Sequence, residues 1–282
     1  MSGMTTMSGG TTPTQFTASG STTAYKQFFN ANSSYTVFNG SGNSTVSGPV
    51  VVGATKAALT VSGASAVADT TAGSNSITTT GKTAIFAAAN DTISAGGAAS
   101  TVFGASSGVT HFAASGNNSS IVGGAGGFLG SVSGSNSTLV GGTNVSVMTV
   151  TGSNNLVVAG SAGVTSVDLS KSAGANIISS NPLGNSGNLI ALLGAGADSM
   201  VGGSGQSAIL AGSGNDAFLF VNGHAGGSEA IFGFNAKDSL GFAGYTYTGS
   251  SLPTETVGAL GDIISLADGT QITLVGYDQK VF

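Results

Sequence analysis

The sequence predicts an all-β protein: a single right-handed parallel β-solenoid (a β-helix or β-roll) with about 18 residues per turn and a C-terminal β-hairpin cap. Three observations predict it. A phrase returns every 18 residues: Gly116-Asn117-Asn118-Ser119-Ser120-Ile121-Val122, then Gly134-Ser135-Asn136-Ser137-Thr138-Leu139-Val140, then Gly152-Ser153-Asn154-Asn155-Leu156-Val157-Val158. Apolar residues alternate with small polar ones between bends, and helical periodicity is absent. Gly, at 48 of 282 residues, is too frequent for helix interiors. Such a chain buries its apolar side only coil against coil, so it stacks and does not close around a cleft.

Residues 1–40 are Thr- and Ser-rich and carry an aromatic cluster: Phe16, Tyr25, Phe28, Phe29, Tyr35 and Phe38. These rings need burial. The segment is either a tail and cap over the first coil or a docking segment that adds to a neighbouring molecule. Residues 41–192 form the repeat body. Its register runs backwards from Ile121 through Phe103, Ile85 and Val67. Ile121, Leu139 and Val157 make one inward column, while Leu129 and Val147, with His111 beneath them, fit the opposite wall. Asn118, Asn136 and Asn154 make a column at a bend, where Asn tolerates the left-handed conformation and can bridge coils. The register slips between Lys171 and Asn185, around Pro182, which reads as a loop between two solenoid blocks.

Residues 193–220 change to a nine-residue repeat. Glycines recur at 194, 203 and 212 and at 196, 205 and 214, and large apolar residues at 200, 209 and 218. Two nonapeptides make one 18-residue turn, so the block can continue the same solenoid. Residues 221–282 are the cap, in which two apolar runs flank Asp268-Gly269, a hairpin signature over 263–275.

The nonapeptides resemble the GGxGxDxUx repeats of RTX proteins, calcium-binding parallel β-rolls exported by bacterial type I secretion. The stretch from Glu229 to Leu240 looks like the acidic-aromatic segment that follows such repeats, and the terminal hairpin looks like their uncleaved export region. The resemblance covers residues 193–282 and implies a secreted, extracellular or cell-surface protein. It also implies Ca²⁺ as cofactor, with Asp198, Asp216 and Asn215 and the carbonyls of Gly196, Gly205 and Gly214 as ligands. The second repeat carries Ser207 in place of the family's Asp, which thins the carboxylate row that Ca²⁺ favours. The alternative role for these Asp residues is to cap turns; that role is expected for Asp69, Asp91 and Asp168.

Composition excludes several functions. Only 6% of residues are charged, against about a quarter in an ordinary globular domain. The 40% of hydrophobic residues in ordered period argue against disorder. The six basic residues are all Lys and the net charge is −5, so no basic footprint for nucleic acid or an anionic membrane exists. Zero Cys excludes a disulfide framework and a thiolate metal site. No run of about 18 apolar residues predicts membrane insertion, and Met1 to Gly10 has no basic start leading into an apolar core.

Enzyme chemistry is poorly supplied. His111 reads as a packed core residue, and His224, beside Glu229 in a Gly-rich stretch, reads as a solvated loop residue more than a metal ligand. The expected function is therefore a secreted structural protein that self-assembles head to tail, as biofilm matrix or surface layer, with matrix or cell-surface polysaccharide as a further partner. The alternative is a surface-binding module, an adhesin or ice-binding protein, although the Thr101, Ser119, Ser137, Asn155 column lacks a strict Thr row.

Overall fold

The computed structural model describes residues 14–17, 34–40, 42–63, 65–180, 187–223, 227–247 and 252–282. These residues are all-β, with no helix, and form a parallel β-solenoid of about 11 turns with about 18 residues per turn. The chain divides into two compact units, Met1–Gly130 and Ser131–Phe282. The division falls inside the repeat body, and the nonapeptide block forms further coils of the second unit.

In each unit, every turn gives one strand to a front sheet and one to a back sheet. The front sheet of the first unit runs Ser34–Phe38, Val50–Val52, Ser65–Asp69, Thr83–Phe86, Thr101–Phe103, Ser120–Val122. Its back sheet runs Gly42–Ser47, Ala57–Ser62, Ser76–Thr79, Thr92–Ala95, Val109–Ala114. The front sheet of the second unit runs Thr138–Val140, Leu156–Val158, Ile177–Ser179, Ser199–Val201, Ala217–Val221, Ser239–Ala243. Its back sheet runs Ser146–Val150, Val164–Asp168, Asn188–Leu192, Gln206–Leu210, Ser228–Phe232, Gln271–Val275. Three antiparallel pairings break the pattern. Thr14–Thr17 pairs with Ser34–Phe38, and Gly261–Ser265 sits between Gln271–Val275 and Thr254–Gly258. The expected hairpin is thus present, with Gly269 at φ 90° in its turn.

Strand alternation sends every second residue inward, and in-register stacking turns those residues into columns. Val67, Ile85, Val102 and Ile121 form the front column of the first unit, and Leu139, Val157, Ile178, Met200 and Phe218 that of the second. All are 0% exposed. The back columns are Leu59, Ile77, Ile93 and Phe112, and Met148, Val167, Ala191, Ile209, Ile231 and Leu274. Each large side chain so buried contributes about 1.5–3 kcal/mol. The backbones meet as closely as the side chains. A Cβ added at Gly212 falls 1.7 Å from the Gly194 carbonyl oxygen, and one at Gly214 falls 1.8 Å from that of Gly196. The repeating glycines are therefore places where coil rests on coil.

Four expectations need correction. The inward residue between Ile85 and Ile121 is Val102; Phe103 faces outward and stacks on Phe86 at 4.7 Å. The steps are 17 residues (Ile85 to Val102) and 19 (Val102 to Ile121), so a strict 18 lands one residue off and on the wrong face. The same one-residue error affects the opposite wall. Phe128 and Met148 are buried, whereas Val147 is 40% exposed, Leu129 is half-buried and His111 is exposed. The steps lengthen near Lys171, to 21 residues from Val157 to Ile178 and 22 from Ile178 to Met200, yet the three stay in register, so the solenoid continues through this stretch; 181–186, Pro182 included, lie outside the described residues. Finally, Asn118, Asn136 and Asn154 do sit at φ 58°, 57° and 56°, but they point outward. The side chains that join coil to coil belong to the following position.

Candidate functional site: polar corners and outer faces

That following position precedes each front strand. In the second unit it holds Ser137, Asn155, Asn176, Asp198, Asp216 and Asp238, which hydrogen-bond in series. The Ser137 N–H donates to Asn155 Oδ1 (2.8 Å), the Asn155 N–H to Asn176 Oδ1 (3.1 Å) and the Asn176 N–H to Asp198 Oδ1 (2.8 Å). The Asp198 N–H donates to Asp216 Oδ1 (3.0 Å) and the Asp216 N–H to Asp238 Oδ1 (2.9 Å). Each side chain thus takes the amide of the preceding coil, a buried donor that would otherwise lose its partner. The second carboxylate oxygen closes its own turn: Asp198 Oδ2 accepts from the Gly194 N–H and Asp216 Oδ2 from the Gly212 N–H, both at 3.0 Å. Burial raises the pKa of Asp198, and it raises that of Asp216 to about 6, with the charges of Asp198 and Asp238 adding to the effect.

This geometry bears on the calcium expectation. Asp198, Asp216, Gly196, Gly214 and the exposed Asn215 share the front corner, but Gly205 lies on the far side, before a back strand. Both oxygens of Asp198 and of Asp216 are occupied by backbone N–H groups, and the two residues are 1% exposed. The Gly196 carbonyl accepts the Asp198 N–H at 3.1 Å, and that of Gly205 the Ser228 N–H at 3.2 Å. Ca²⁺ needs six to eight oxygens. As folded, this donor set does not fit it, and among the described residues no group of three His, Cys, Asp or Glu is placed to hold a metal ion.

No protein-family model and no curated protein matches this chain.

The first unit has its own polar corner, at the back strands. Asn75 Nδ2 donates to Asp69 Oδ2 at 2.6 Å and to the Ala54 carbonyl at 2.9 Å, while Asn75 Oδ1 accepts the Ala57 N–H at 2.8 Å. Asp91 accepts the Asn75 N–H at 3.0 Å and the Ala88 N–H at 2.7 Å. Burial, and then the charge of Asp69, pushes Asp91 up to about 7. Asp69 and Asp168 also take the amides of Thr71 and Ser170, so all three have the expected turn role.

Sequence reading missed two acids. Asp238 continues the column, and the phrases Asp198-Ser199-Met200, Asp216-Ala217-Phe218 and Asp238-Ser239-Leu240 signal it. Glu229 lies inward, 1% exposed, next in register to Ser207 on the back sheet. Its Oε1 accepts the Gly203 N–H at 3.4 Å and the Ser207 hydroxyl lies beside its carboxyl; burial outweighs both and raises its pKa to about 7. Glu229 is the second residue of Ser228–Phe232 and shares the inward face of Ile231, but a lone Glu beside Ser228 reads as solvated. His224 lies outside the described residues.

The outer faces of the back sheets differ. In the first unit Thr45, Thr60, Thr78 and Ser94 stand in register, one per coil, facing solvent. Ser119, Ser137 and Asn155, by contrast, are buried and cannot meet a surface. In the second unit the corresponding face carries amides and apolar side chains. The first unit's back sheet also begins at an edge: Gly42–Ser47 pairs with Ala57–Ser62 on one side and with nothing on the other among the described residues.

Proposed function

We propose that this chain is a secreted bacterial structural protein that assembles with copies of itself into extracellular filaments or sheets. The observation that carries the reading is the edge strand Gly42–Ser47, Gly-Asn-Ser-Thr-Val-Ser. It is six residues long, without charge or Pro, and ends its sheet, with Ala57–Ser62 as its one strand neighbour among the described residues. Soluble proteins usually blunt such an edge with Lys, Pro, a bulge or a covering segment. A head-to-tail contact that does not close on itself propagates. The RTX likeness of residues 193–282 supports export. The docking role of residues 1–40 falls outside the described residues except for Thr14–Thr17 and Ser34–Phe38.

The test is negative-stain electron microscopy of the full chain beside an Asn43→Lys/Thr45→Lys double variant. Regular filaments or sheets are expected from the former. Dispersed particles with unchanged circular dichroism are expected from the latter. Polymers formed equally by both would remove the edge from the mechanism.

One observation favours a second reading, a surface-binding module. The Thr45, Thr60, Thr78, Ser94 row is closer to the regular hydroxyl face of an ice binder than the column read from the sequence. Thermal hysteresis of an Asn43→Lys single variant, which leaves the Thr45, Thr60, Thr78, Ser94 row intact, separates the two readings.

A further inference from the structure

The back sheet of the second unit carries three parallel outward rows. The first is polar: Asn188, Gln206, Ser228 and Gln271 stand in register on consecutive back strands. The next is small: Ala208 and Ala230, with Ile190 and Thr273 at its ends. The third is large and apolar, with Leu210 49% and Phe232 42% exposed. The small row is therefore the floor of a trough that crosses the strands. Amides and a hydroxyl wall one side, and an aliphatic chain and an aromatic ring wall the other. Two hollows open on this face, and both include Asn188, Gln206 and Ser228.

The chemistry of the walls selects the occupant. No residue of either hollow is charged, so neither an anionic nor a cationic polymer is matched. Amide groups donate and accept at once, which suits hydroxyls. An exposed ring and Leu210 suit the C–H faces of sugar rings, which are apolar while the ring edges are polar. A polypeptide strand gains nothing here, because the backbone N–H groups of these strands are spent within the sheet. The rows repeat at the coil spacing of about 4.8 Å, comparable with the rise of one sugar along an extended chain. We infer that this trough binds a linear, uncharged polysaccharide, laid across the coils with hydroxyls toward Gln206 and Ser228 and ring faces toward Phe232. The inference does not rest on self-assembly, since the trough lies on a sheet face and not on a strand edge.

The test is affinity electrophoresis of the full chain, carrying the dispersing Asn43→Lys/Thr45→Lys changes, through gels that contain a neutral glycan. The probes are hydroxyethyl cellulose, glucomannan and xyloglucan. Carboxymethyl cellulose is the charged comparator on the same backbone as the first. Retardation by at least one neutral probe, and less by the charged one, is expected. Gln206→Ala should weaken it roughly fivefold, the loss of about one hydrogen bond. Ala208→Glu, which fills the trough and adds charge, should abolish it. Both positions face solvent, so melting curves should be unchanged. Migration unaffected by all three neutral glycans overturns the inference, as does equal retardation of the Ala208→Glu chain.

Discussion

The two units solve the same problem with different side chains at their front corners. In the first unit the position before the front strands is Ser100 and Ser119. Their hydroxyls donate to the carbonyls of Gly97 and Gly116 in their own turn, at 2.8 and 2.9 Å, and Ser100 Oγ also accepts the Thr83 N–H of the preceding coil at 3.2 Å. In the second unit the position holds Asn155, Asn176, Asp198 and Asp216, which reach across and take the amide of the preceding coil. A hydroxyl has one oxygen to divide between its own turn and the preceding coil, whereas a carboxylate gives one oxygen to each, as Asp198 does with the Asn176 and Gly194 amides. The first unit places its carboxylates at the back corner instead, where Asp69 and Asp91 close on one Asn75 and do not continue as a row. The corner carboxylates thus follow the need for a two-coil acceptor, which accounts for the burial of Asp91, Asp198 and Asp216 in a chain with only 6% charged residues.

The largest test of this contrast is at Asp198. Asp198→Ala leaves the Asn176 and Gly194 amides buried without an acceptor, each worth about 1–3 kcal/mol. A loss of about 3 kcal/mol is expected in urea denaturation, with Asp198→Asn losing less than half of that because its Oδ1 remains. Ser119→Ala in the first unit, which removes one hydroxyl oxygen where Asp198→Ala removes two carboxylate oxygens, should cost about 1 kcal/mol. Equal losses at Asp198 and Ser119 would erase the distinction between the corners.

Much of this was legible in the sequence, and the failures have one cause. Repeating glycines, left-handed Asn residues and the Met200, Ile209, Phe218 spacing all report backbone stacking, which is local and periodic. The solenoid and its 18-residue turn follow from them. Face assignment depends on an alternation of two, so turns of 17 and 19 residues around Val102 displace the reading by one position and reverse it. His111, Leu129 and Val147 were misplaced in this way. A nonapeptide Asp signals calcium and a two-coil acceptor alike, and the amide partners of Asp198 and Asp216, which show the second role, lie on coils that the repeat does not name. Glu229 was not legible at all, since its burial comes from Ser207 and Ile272 on neighbouring coils.

The contrast also has a pH form. Glu229, Asp216 and Asp91 all have folded pKa values raised by burial, to about 7, about 6 and about 7. A raised acid means that the folded state holds its proton more tightly than the unfolded chain. Its contribution is fully present below the unfolded value, 4.5 for Glu229, and is lost as pH rises through about 7. The protein should therefore be more stable at pH 4.5 than at pH 8. Glu229→Gln should flatten the profile by roughly 3 kcal/mol, the difference being read from urea midpoints at the two pH values. A profile that rises with pH would show that these acids are charged and well paired in the fold.

The smallest expected effect concerns calcium, and it bears on the same corner. If Asp198 and Asp216 hold backbone amides, adding Ca²⁺ or a chelator leaves the melting temperature within about 1 °C. By contrast, a ligand at 100 times its Kd stabilises by about 2.7 kcal/mol. A calcium-dependent rise would mean that the ion displaces the Gly194 and Gly212 amides from the carboxylates, and Asp198→Asn would then abolish the rise while costing little stability in chelator. Since the Asn variant keeps the Oδ1 acceptor but lacks the charge a cation needs, it separates an Asp that serves the backbone from one that serves a metal.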